Sequence, residues 1–205
     1  MSDELDDELE FESLEDDRPG LDDLDDLDDL DVDDDEEDDD DDDEDYPEDA
    51  TEEDIDLVLA LYREEGAAQA MELDIELAND LDALIAQLRR IPGDAGALAM
   101  ISLANEVFVL VRVRGKTVQV FCSDVVTALD WPICRDVVDF LGEELPVEDD
   151  ESAPVGDADI LADAGLREFD LESIAENYDE DAPELLAQIA KKIQFGPQFQ
   201  AIANL

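Results

Sequence analysis

The stretch EVFVLVRVRGKTVQVFCS, residues 106–123, decides the fold. It holds two runs rich in β-branched and aromatic residues on either side of Gly115-Lys116, a pair that suits a two-residue hairpin turn. Placing Arg114 opposite Thr117 brings six alternate side chains onto one apolar face. The pairs on that face are Val113 with Val118, Val111 with Val120, and Val109 with Cys122. The stretch therefore predicts an antiparallel hairpin with Cys122 in the core.

The other face of this hairpin is mixed in character. Arg112 and Arg114 project from it, Phe121 shares it, and Lys116 lies in the turn. Cations beside an aromatic ring can meet phosphates and stack a base, so we name these four residues as candidate contacts for RNA or for a partner. The competing interpretation pairs the cations with the protein's own carboxylates. That interpretation is favoured because a chain with a net charge of −55 repels nucleic acid.

Upstream of the hairpin, the pattern predicts further strands and one helix. Strands are expected at residues 55–63, 67–73 and 97–103, where apolar residues alternate or run together between turn residues. Residues 75–91 carry leucine and isoleucine at helical spacing, which predicts a single helix. The sequence thus indicates an α+β domain over residues 54–143, built on a mainly antiparallel sheet with packed helices.

Downstream of the hairpin, two helices are predicted in succession. Ser123 or Asp124 is expected to cap a short one. Asp130 is expected to cap a second one that begins at Trp131-Pro132, because proline suits the first helical position. The second helix contains most of the stretch LDWPICRD, residues 129–136.

Cys134 in that stretch raises the question of a reactive thiol. It shares a helical stripe with apolar residues, which predicts burial, and Gly142 supplies the end of the helix. The stripe consists of Cys134, Val137, Val138 and Leu141, and the residues expected to face out are Arg135, Asp136 and Asp139. A thiol near a helix N-terminus can be reactive, but the chain has no histidine to act as its base. Core packing is therefore the preferred interpretation.

The last quarter of the chain reads as a linker followed by helices. Residues 144–156 form an acidic linker, and residues 157–205 are predicted to be a small all-helical module. The helices of the module are expected to begin at Asp157, Asp170, Asp181 and Pro197. Because each helix has a one-sided apolar face and is too short to be stable alone, we expect them to pack together or onto the sheet.

The first quarter, residues 1–53, is predicted to be a disordered acidic low-complexity tail. Residues 1–54 hold 35 acidic residues against one base, a net charge of −34, and the run 33–45 has no apolar side chain. Three roles are open: a solvated segment, a segment that docks on a cationic partner or mimics nucleic acid, and a metal or ion buffer. The last role lacks the glycine-turned spacing of an EF-hand.

Several classes of function are excluded by residue types that the chain lacks. Without histidine, the Ser-His-Asp and Cys-His arrangements and most zinc sites are impossible, and two cysteines cannot make a Cys₄ site. The scattered glycines form no phosphate-binding loop. We therefore expect no enzymatic activity, no cofactor and no metal site. With no secretory signal and no apolar run of membrane-spanning length, we expect a cytoplasmic protein with reduced cysteines.

Three longer stretches carry a resemblance to a known family. They are VFVLVRVRGKTVQVFCSDVVTALDWPICRDVVDFLG (residues 107–142), GDADILADAGL (156–166) and APELLAQIAKKIQFGPQF (182–199). Together they are similar to the actinobacterial family of tRNA adenosine deaminase-associated proteins. The likeness extends over residues 55–205, and its most distinctive part is the segment around LDWPICRD.

The resemblance implies association with the enzyme that deaminates the wobble adenosine of tRNA to inosine, and it brings no established active site to this chain. A zinc deaminase needs an H-x-E and a P-C-x-x-C stretch. This chain has no histidine, and PICRD, residues 132–136, offers a single cysteine. The chain is therefore not the deaminase itself.

We accordingly expect a non-enzymatic accessory or regulatory protein that acts by protein–protein binding. Its acidic tail would mask the cationic RNA-binding surface of a tRNA adenosine deaminase or of another cationic protein. Two alternatives stay open. One is direct RNA binding through the strand face of Arg112, Arg114 and Lys116, and the other is a link to the deaminase by gene position only.

Overall fold

The fold is seen in a computed structural model that describes residues 46–93, 95–147 and 151–203. Most of the predicted tail, up to residue 45, lies outside the described residues. The strands are β1 (Ile55–Glu64), β2 (Ala67–Glu72), β3 (Ala97–Leu103), β4 (Val107–Arg114), β5 (Thr117–Cys122) and β6 (Val155–Gly156). They form one antiparallel sheet in the order β2–β1–β3–β4–β5–β6.

Five α-helices accompany the sheet in the described part of the chain. They are α1 (Leu81–Leu88), α2 (Pro132–Leu141), α3 (Glu168–Ala175), α4 (Ala182–Lys192) and α5 (Gly196–Ala203). This arrangement confirms the predicted α+β class with a mainly antiparallel sheet. Across these described stretches, no helix combines the length and the apolar character that spanning a bilayer requires.

The hairpin of β4 and β5 has the predicted register. Arg114 lies opposite Thr117, and the row of pairs continues to Val109 opposite Cys122. Gly115 in the turn has a φ of 60°, a left-handed backbone that glycine adopts without steric cost. Cys122 is buried, as the alternation of side chains predicted.

One face of the sheet is covered by α1 and α2. Its core contains the predicted apolar face of the hairpin together with the inner sides of both helices. The single helix expected over residues 75–91 is wrong, because the segment divides into a 3₁₀ turn (Ile75–Ala78) and α1. The interruption has two causes: the Asn79 amide bonds the backbone of Ala50, 29 residues earlier, and the Asp80 carboxylate accepts from Ala83 N at 2.8 Å to cap α1.

The start of α2 also differs from the prediction. Asp124 caps the short 3₁₀ helix Val125–Leu129, as expected, by accepting from Val126 N. Asp130 was expected to cap α2, and that prediction is wrong. Since Pro132 takes the first helical position, the cap position falls on Trp131, which makes no side-chain cap bond. At the other end, Gly142 has a φ of 69° and stops α2 as predicted.

Tyr46 covers part of the outer surface of α2. Its hydroxyl donates to Asp136 at 2.5 Å, and the Arg135 guanidinium lies 5.6 Å from its ring centroid. Asp136 also accepts from Leu81 N at 3.0 Å. Arg135 and Asp136 are consequently half-buried and do not face out as predicted, whereas Asp139 does.

The opposite face of the sheet is covered by α3, α4 and α5. Their apolar sides pack on the residues of this face, which include Leu59, Leu61, Leu98, Met100, Leu110 and Phe121. The amide of Ala182 at the start of α4 donates to Asn105 O at 2.9 Å in the β3–β4 turn. The C-terminal helices thus pack onto the sheet and also onto one another, so both expected arrangements are present. Their separation as a module over residues 157–205 stays a prediction.

The segment between the two helical layers joins the edge of the sheet. Residues 155–156 of the expected linker form β6, which pairs with Phe121 and Cys122. Asp157 was expected to cap a helix, but it accepts from Val120 N at 2.9 Å and prolongs the ladder instead.

The remaining helix starts were predicted with mixed success. Asp170 lies inside α3, whose cap position is Arg167, so its predicted role as a cap is wrong. Asp181 does hold the cap position of α4, with Pro183 in the first turn, and α5 begins at Gly196, next to the expected Pro197.

Candidate functional site: the basic end of the sheet

Basic side chains concentrate at one end of the sheet. Of the ten basic residues after position 54, eight lie at the end where β1 and β4 finish and β3 and β5 begin, or in the loops beside it. We call this set the basic end; it comprises Arg63, Arg89, Arg90, Arg112, Arg114, Lys116, Lys191 and Lys192. Both α1 and α4 finish here, on opposite faces of the sheet, which brings Arg89 and Lys191 from distant parts of the sequence to the same end of it.

The other end of the sheet is acidic. The Asp56 carboxylate accepts from Ser102 Oγ at 2.8 Å and from Asn105 N at 2.7 Å beside the β3–β4 turn. Asp181 stands next to the same turn at the start of α4, where a negative charge is favoured by the helix dipole. The described domain therefore has a charge asymmetry along its strands in addition to its net negative charge.

Arg112 contacts residues of its own chain, Ile160 and Asp163. Its side chain is buried, with 8% of the residue exposed, and its guanidinium donates to Ile160 O at 2.6 Å and twice to the Asp163 carboxylate. This hydrogen bonding lowers the pKa of Asp163 below its ordinary value. Arg112 thereby fastens β4 to the segment that leads into α3.

The four residues predicted as RNA or partner contacts do not form one exposed surface. Phe121 is 1% exposed and stacks on Phe108 with ring centroids 6.1 Å apart, underneath the C-terminal helices. Arg114 and Lys116 are exposed, and Arg114 shares Asp163 with Arg112 at 2.9 Å. A role of Arg114 and Lys116 in binding stays a prediction. Arg112 and Phe121 contribute to packing in this arrangement.

Five residues of the basic end were not identified from the sequence: Arg63, Arg89, Arg90, Lys191 and Lys192. The adjacent basic residues 89–90 and 191–192 can be seen in the sequence, but the sequence does not show that the fold brings both pairs to the same end of the sheet. Within the three described stretches, no carboxylate forms an ion pair with either basic pair or with Lys116. Arg63 lies 4.8 Å above the Phe195 ring and donates weakly to Ile193 O at 3.5 Å.

Two cavities open at the basic end. The first, of about 280 Å³, has Arg63 and Asp163 at its polar side, and its apolar lining includes Leu61, Leu98, Leu161 and Phe195. The second, of about 660 Å³, is lined by residues that include Arg89 and Arg114. Both include Ala95 and Gly96 in their walls, so they adjoin. Gly96 has a φ of 81°, and an added Cβ would lie 2.1 Å from Val113 O, so only glycine fits between them.

Cys134 lies away from this end and is buried together with Cys122. The pKa of the Cys134 thiol is well above its ordinary value, first because of its hydrogen bond with Cys122 and second because of burial. A thiol in that state is a poor nucleophile. Among the residues that the structure describes, no group of three or more His, Cys, Asp or Glu is placed to hold a metal ion.

We expect neither cysteine of the folded protein to react readily with a thiol reagent, because both lie at most 1% exposed. The absorbance of the reagent should report two reacted thiols per chain only after denaturant is added. A Ser173→Cys variant supplies the control, since Ser173 is exposed and its new thiol should react at once in the folded state. Rapid modification of Cys134 in the folded protein would overturn its assignment to the core.

Comparison with known proteins places the chain among related sequences. The family described as Rv3753c-like tRNA adenosine deaminase-associated protein matches residues 56–196. Protein Rv3753c of Mycobacterium tuberculosis (strain ATCC 25618 / H37Rv) is 31% identical over 149 residues, covering 71% of this chain and 86% of that protein. No solved structure gives a significant match. The basic end lies wholly inside the matched residues, and the acidic residues 1–54 precede them.

Proposed function

Because the chain belongs to the Rv3753c-like tRNA adenosine deaminase-associated protein family, we propose that it is a non-enzymatic accessory protein of a cytoplasmic tRNA adenosine deaminase. Its role is binding and not chemistry. The absence of histidine from the sequence supports this, since a zinc deaminase uses an H-x-E stretch for its metal and its proton transfers.

The acidic segment, residues 1–54, is the part that we propose contacts the deaminase. Its net charge of −34 is the observation that carries the proposal. An enzyme that binds tRNA presents cations to the phosphates, and the same cations attract a polyanionic segment. Binding of the segment then competes with binding of tRNA. The accessory protein would in this way control the access of the deaminase to its substrate.

The test compares the full chain with a variant in which the carboxylates of residues 33–45 are replaced by amides, Asp by Asn and Glu by Gln. At about 0.2 kcal/mol for each exposed charge pair, the loss of this run should weaken binding to the purified deaminase by about tenfold or more. Affinity should also fall steeply with salt concentration for the unmodified chain, and less steeply for the neutralised variant.

A variant with residues 1–45 in scrambled order keeps every charge and provides the matched control, so it should bind like the unmodified chain. Equal affinities of the neutralised and unmodified chains would remove the role of the acidic segment. If the full chain recovers no deaminase at all, the proposed association itself is wrong and a link by gene position is left.

Direct RNA binding is the second candidate function. It is favoured by Arg114 and Lys116, which are exposed at the basic end, and opposed by the net charge of −55. Arg112, also considered for this role, is paired with Asp163. A mobility-shift measurement distinguishes direct RNA binding from binding to the deaminase. Labelled tRNA is mixed at low salt with the unmodified chain alone. Direct RNA binding requires the tRNA to shift in this mixture.

A further inference from the structure

Arg63 is the charged side chain of the 280 Å³ cavity that needs an explanation. Its guanidinium lies 4.8 Å from the Phe195 ring centroid, and its hydrogen bond to Ile193 O is long at 3.5 Å. In the part of the chain that the structure describes, no carboxylate forms an ion pair with it. Because the side chain is half-buried, it has lost part of its hydration without gaining a full counter-charge. A cation held in this way favours an anionic ligand.

The Asp163 carboxylate, which lines the same cavity, does not neutralise Arg63. It accepts two hydrogen bonds from Arg112 and one from Arg114, so its charge is already shared by two guanidinium groups. The charged side chains in the cavity lining are Arg63, Arg112 and Asp163, with a net charge of +1. A ligand with one negative charge matches this balance, and a second negative charge would exceed it.

The inner wall of the cavity is apolar and is built by both layers of the fold. Leu61 and Leu98 come from the sheet, and Leu161, Ile193 and Phe195 come from the C-terminal segments. Each of the five is at most 7% exposed, so an aliphatic group placed against them is removed from water. The volume of 280 Å³ lies just below the range of about 300–1,000 Å³ that is usual for drug-sized ligands. The matching ligand is therefore small, with a short apolar body.

The backbone holds the walls of the cavity in place. Gln194 has a φ of 67° at the end of α4, a position where helices usually carry glycine. This left-handed turn is closed by Phe195 N, which donates to Ala190 O at 2.7 Å. On the sheet side the wall is closed by Gly96, where a side chain would collide with Val113 O. A non-glycine residue held in the left-handed region is common at binding sites, and a site with fixed walls loses little entropy on binding.

We propose that this cavity binds a small aliphatic carboxylate, with the carboxylate paired to the Arg63 guanidinium and the aliphatic chain on the apolar wall. The planar guanidinium can donate two parallel hydrogen bonds to such a group. The ligand then supplies the counter-charge that Arg63 does not receive from the described carboxylates. The site adds recognition of a small molecule to a chain whose proposed role is protein binding, and it does not depend on a deaminase.

A ligand in this cavity would also stabilise the packing of the two layers. Its walls include the end of β1 and the start of β3 on the sheet side, and residues 161–164 and 193–195 on the helical side. Because these segments come together only in the folded chain, the ligand binds the folded state and not the unfolded one. At a ligand concentration ten times the dissociation constant, the ratio of unfolded to folded protein should fall by about elevenfold.

The experiment titrates sodium hexanoate into the full, isotope-labelled chain at constant ionic strength and follows the backbone amide signals. The signals of Gly96 and Gln194 should shift to saturation, and that of Gly142, at the end of α2, should not move. In the series acetate, butanoate and hexanoate, each added methylene should tighten binding by up to about fourfold. Hexylammonium, which has the same chain and the opposite charge, should bind about tenfold more weakly than hexanoate, or less.

Two pairs of variants separate charge from shape. Arg63→Gln should weaken hexanoate binding by about tenfold, whereas Arg167→Gln removes a charge outside the cavity and should leave binding unchanged. Ala164→Leu places a larger side chain in the cavity wall and should weaken binding, whereas Ala162→Leu, at an exposed position of the same short segment, should not. Circular dichroism of each variant shows that it is folded.

The unmodified chain alone can overturn the proposal. A titration with hexanoate that produces no saturable shift up to about 10 mM, ten times the dissociation constant of a weak millimolar site, would remove the site. Hexylammonium bound as tightly as hexanoate would contradict the pairing with Arg63, and so would equal losses in Arg63→Gln and Arg167→Gln. None of these measurements contains a deaminase, so failure of this inference and failure of the proposed function are distinguishable.

Discussion

Replacing Phe121 by alanine should lower the free energy of unfolding by about 3–5 kcal/mol, the range for truncating a buried aromatic side chain. Phe121 is 1% exposed and belongs to the core between the sheet and the C-terminal helices. It stacks on Phe108, and its strand neighbours are Leu110 and Gly156. Phe108 and Leu110 are themselves fully buried and packed, and Gly156 has no side chain to fill the vacated space, so a cavity remains.

Chemical denaturation followed by circular dichroism measures this loss, and Phe169→Ala is the matched control. Phe169 lies on α3 and is 77% exposed, so its truncation should change the free energy of unfolding by no more than about 0.5 kcal/mol. Equal losses for the two phenylalanines would contradict the packing of the C-terminal helices onto the sheet.

The second large effect concerns Arg112. An Arg112→Met substitution keeps much of the volume but removes the guanidinium donor of Ile160 O and two of the three hydrogen bonds that Asp163 accepts from Arg112 and Arg114. A buried group left unsatisfied costs about 1–3 kcal/mol. Because the Asp163 side chain is 51% exposed, water can replace part of its contact, and we expect a loss near 2 kcal/mol in the free energy of unfolding at pH 7.

This loss should depend on pH with a defined sign. The hydrogen bond from Arg112 lowers the pKa of Asp163 in the folded state. Its stabilising contribution is therefore fully present above the unfolded-state pKa, about 4, and disappears as pH falls through the lowered folded-state value. The difference between Arg112→Met and the unmodified chain should consequently shrink between pH 5 and the acid range.

Arg167→Met is the control for this series. Arg167 pairs with Asp170 at 3.1 Å, but its side chain is 82% exposed, so its loss should cost between 0 and about 1 kcal/mol. An Arg112→Met protein as stable at pH 7 as the unmodified chain would show that the contact with Asp163 and Ile160 O contributes nothing to the fold.

The parts of the fold that depend on neighbouring residues were predictable. Alternation along residues 106–123 determined the register of β4 and β5, because a shift by one residue would separate the valines from the apolar residues opposite them and divide the apolar face. The burial of Cys134 followed from helical spacing in the same way. Both predictions need only the residue period of one strand or helix and the identity of its apolar face, which is the face that becomes buried.

Other features depend on contacts between distant segments. The helix expected over residues 75–91 is interrupted because Asn79 bonds Ala50, a contact across the chain that periodicity does not contain. Arg135 and Asp136 are half-buried because Tyr46 lies on them. The mixed face of the hairpin gave no sign of which element covers it, so Arg112 and Phe121 were predicted as possible contacts for RNA or a partner.

The basic end shows the same limit for the candidate site. The pairs 89–90 and 191–192 are separated by about a hundred residues, and each alone reads as a favourable helix terminus. Their common location follows from the directions in which α1 and α4 cross opposite faces of the sheet. That geometry is a property of the assembled layers and not of any local stretch.

The two-sided covering of the sheet has a consequence for synthesis of the chain on the ribosome. Strands β1 to β5 emerge before α4 and α5, which supply the cover for Leu59, Leu61 and Phe108. Until then the nascent chain carries one bare apolar sheet face, the kind of surface that chaperones bind and that aggregates. The acidic segment leaves the ribosome before the strands, and like charges on neighbouring chains repel one another. A transcript that stops before codon 182 would yield this unfinished sheet as its final product.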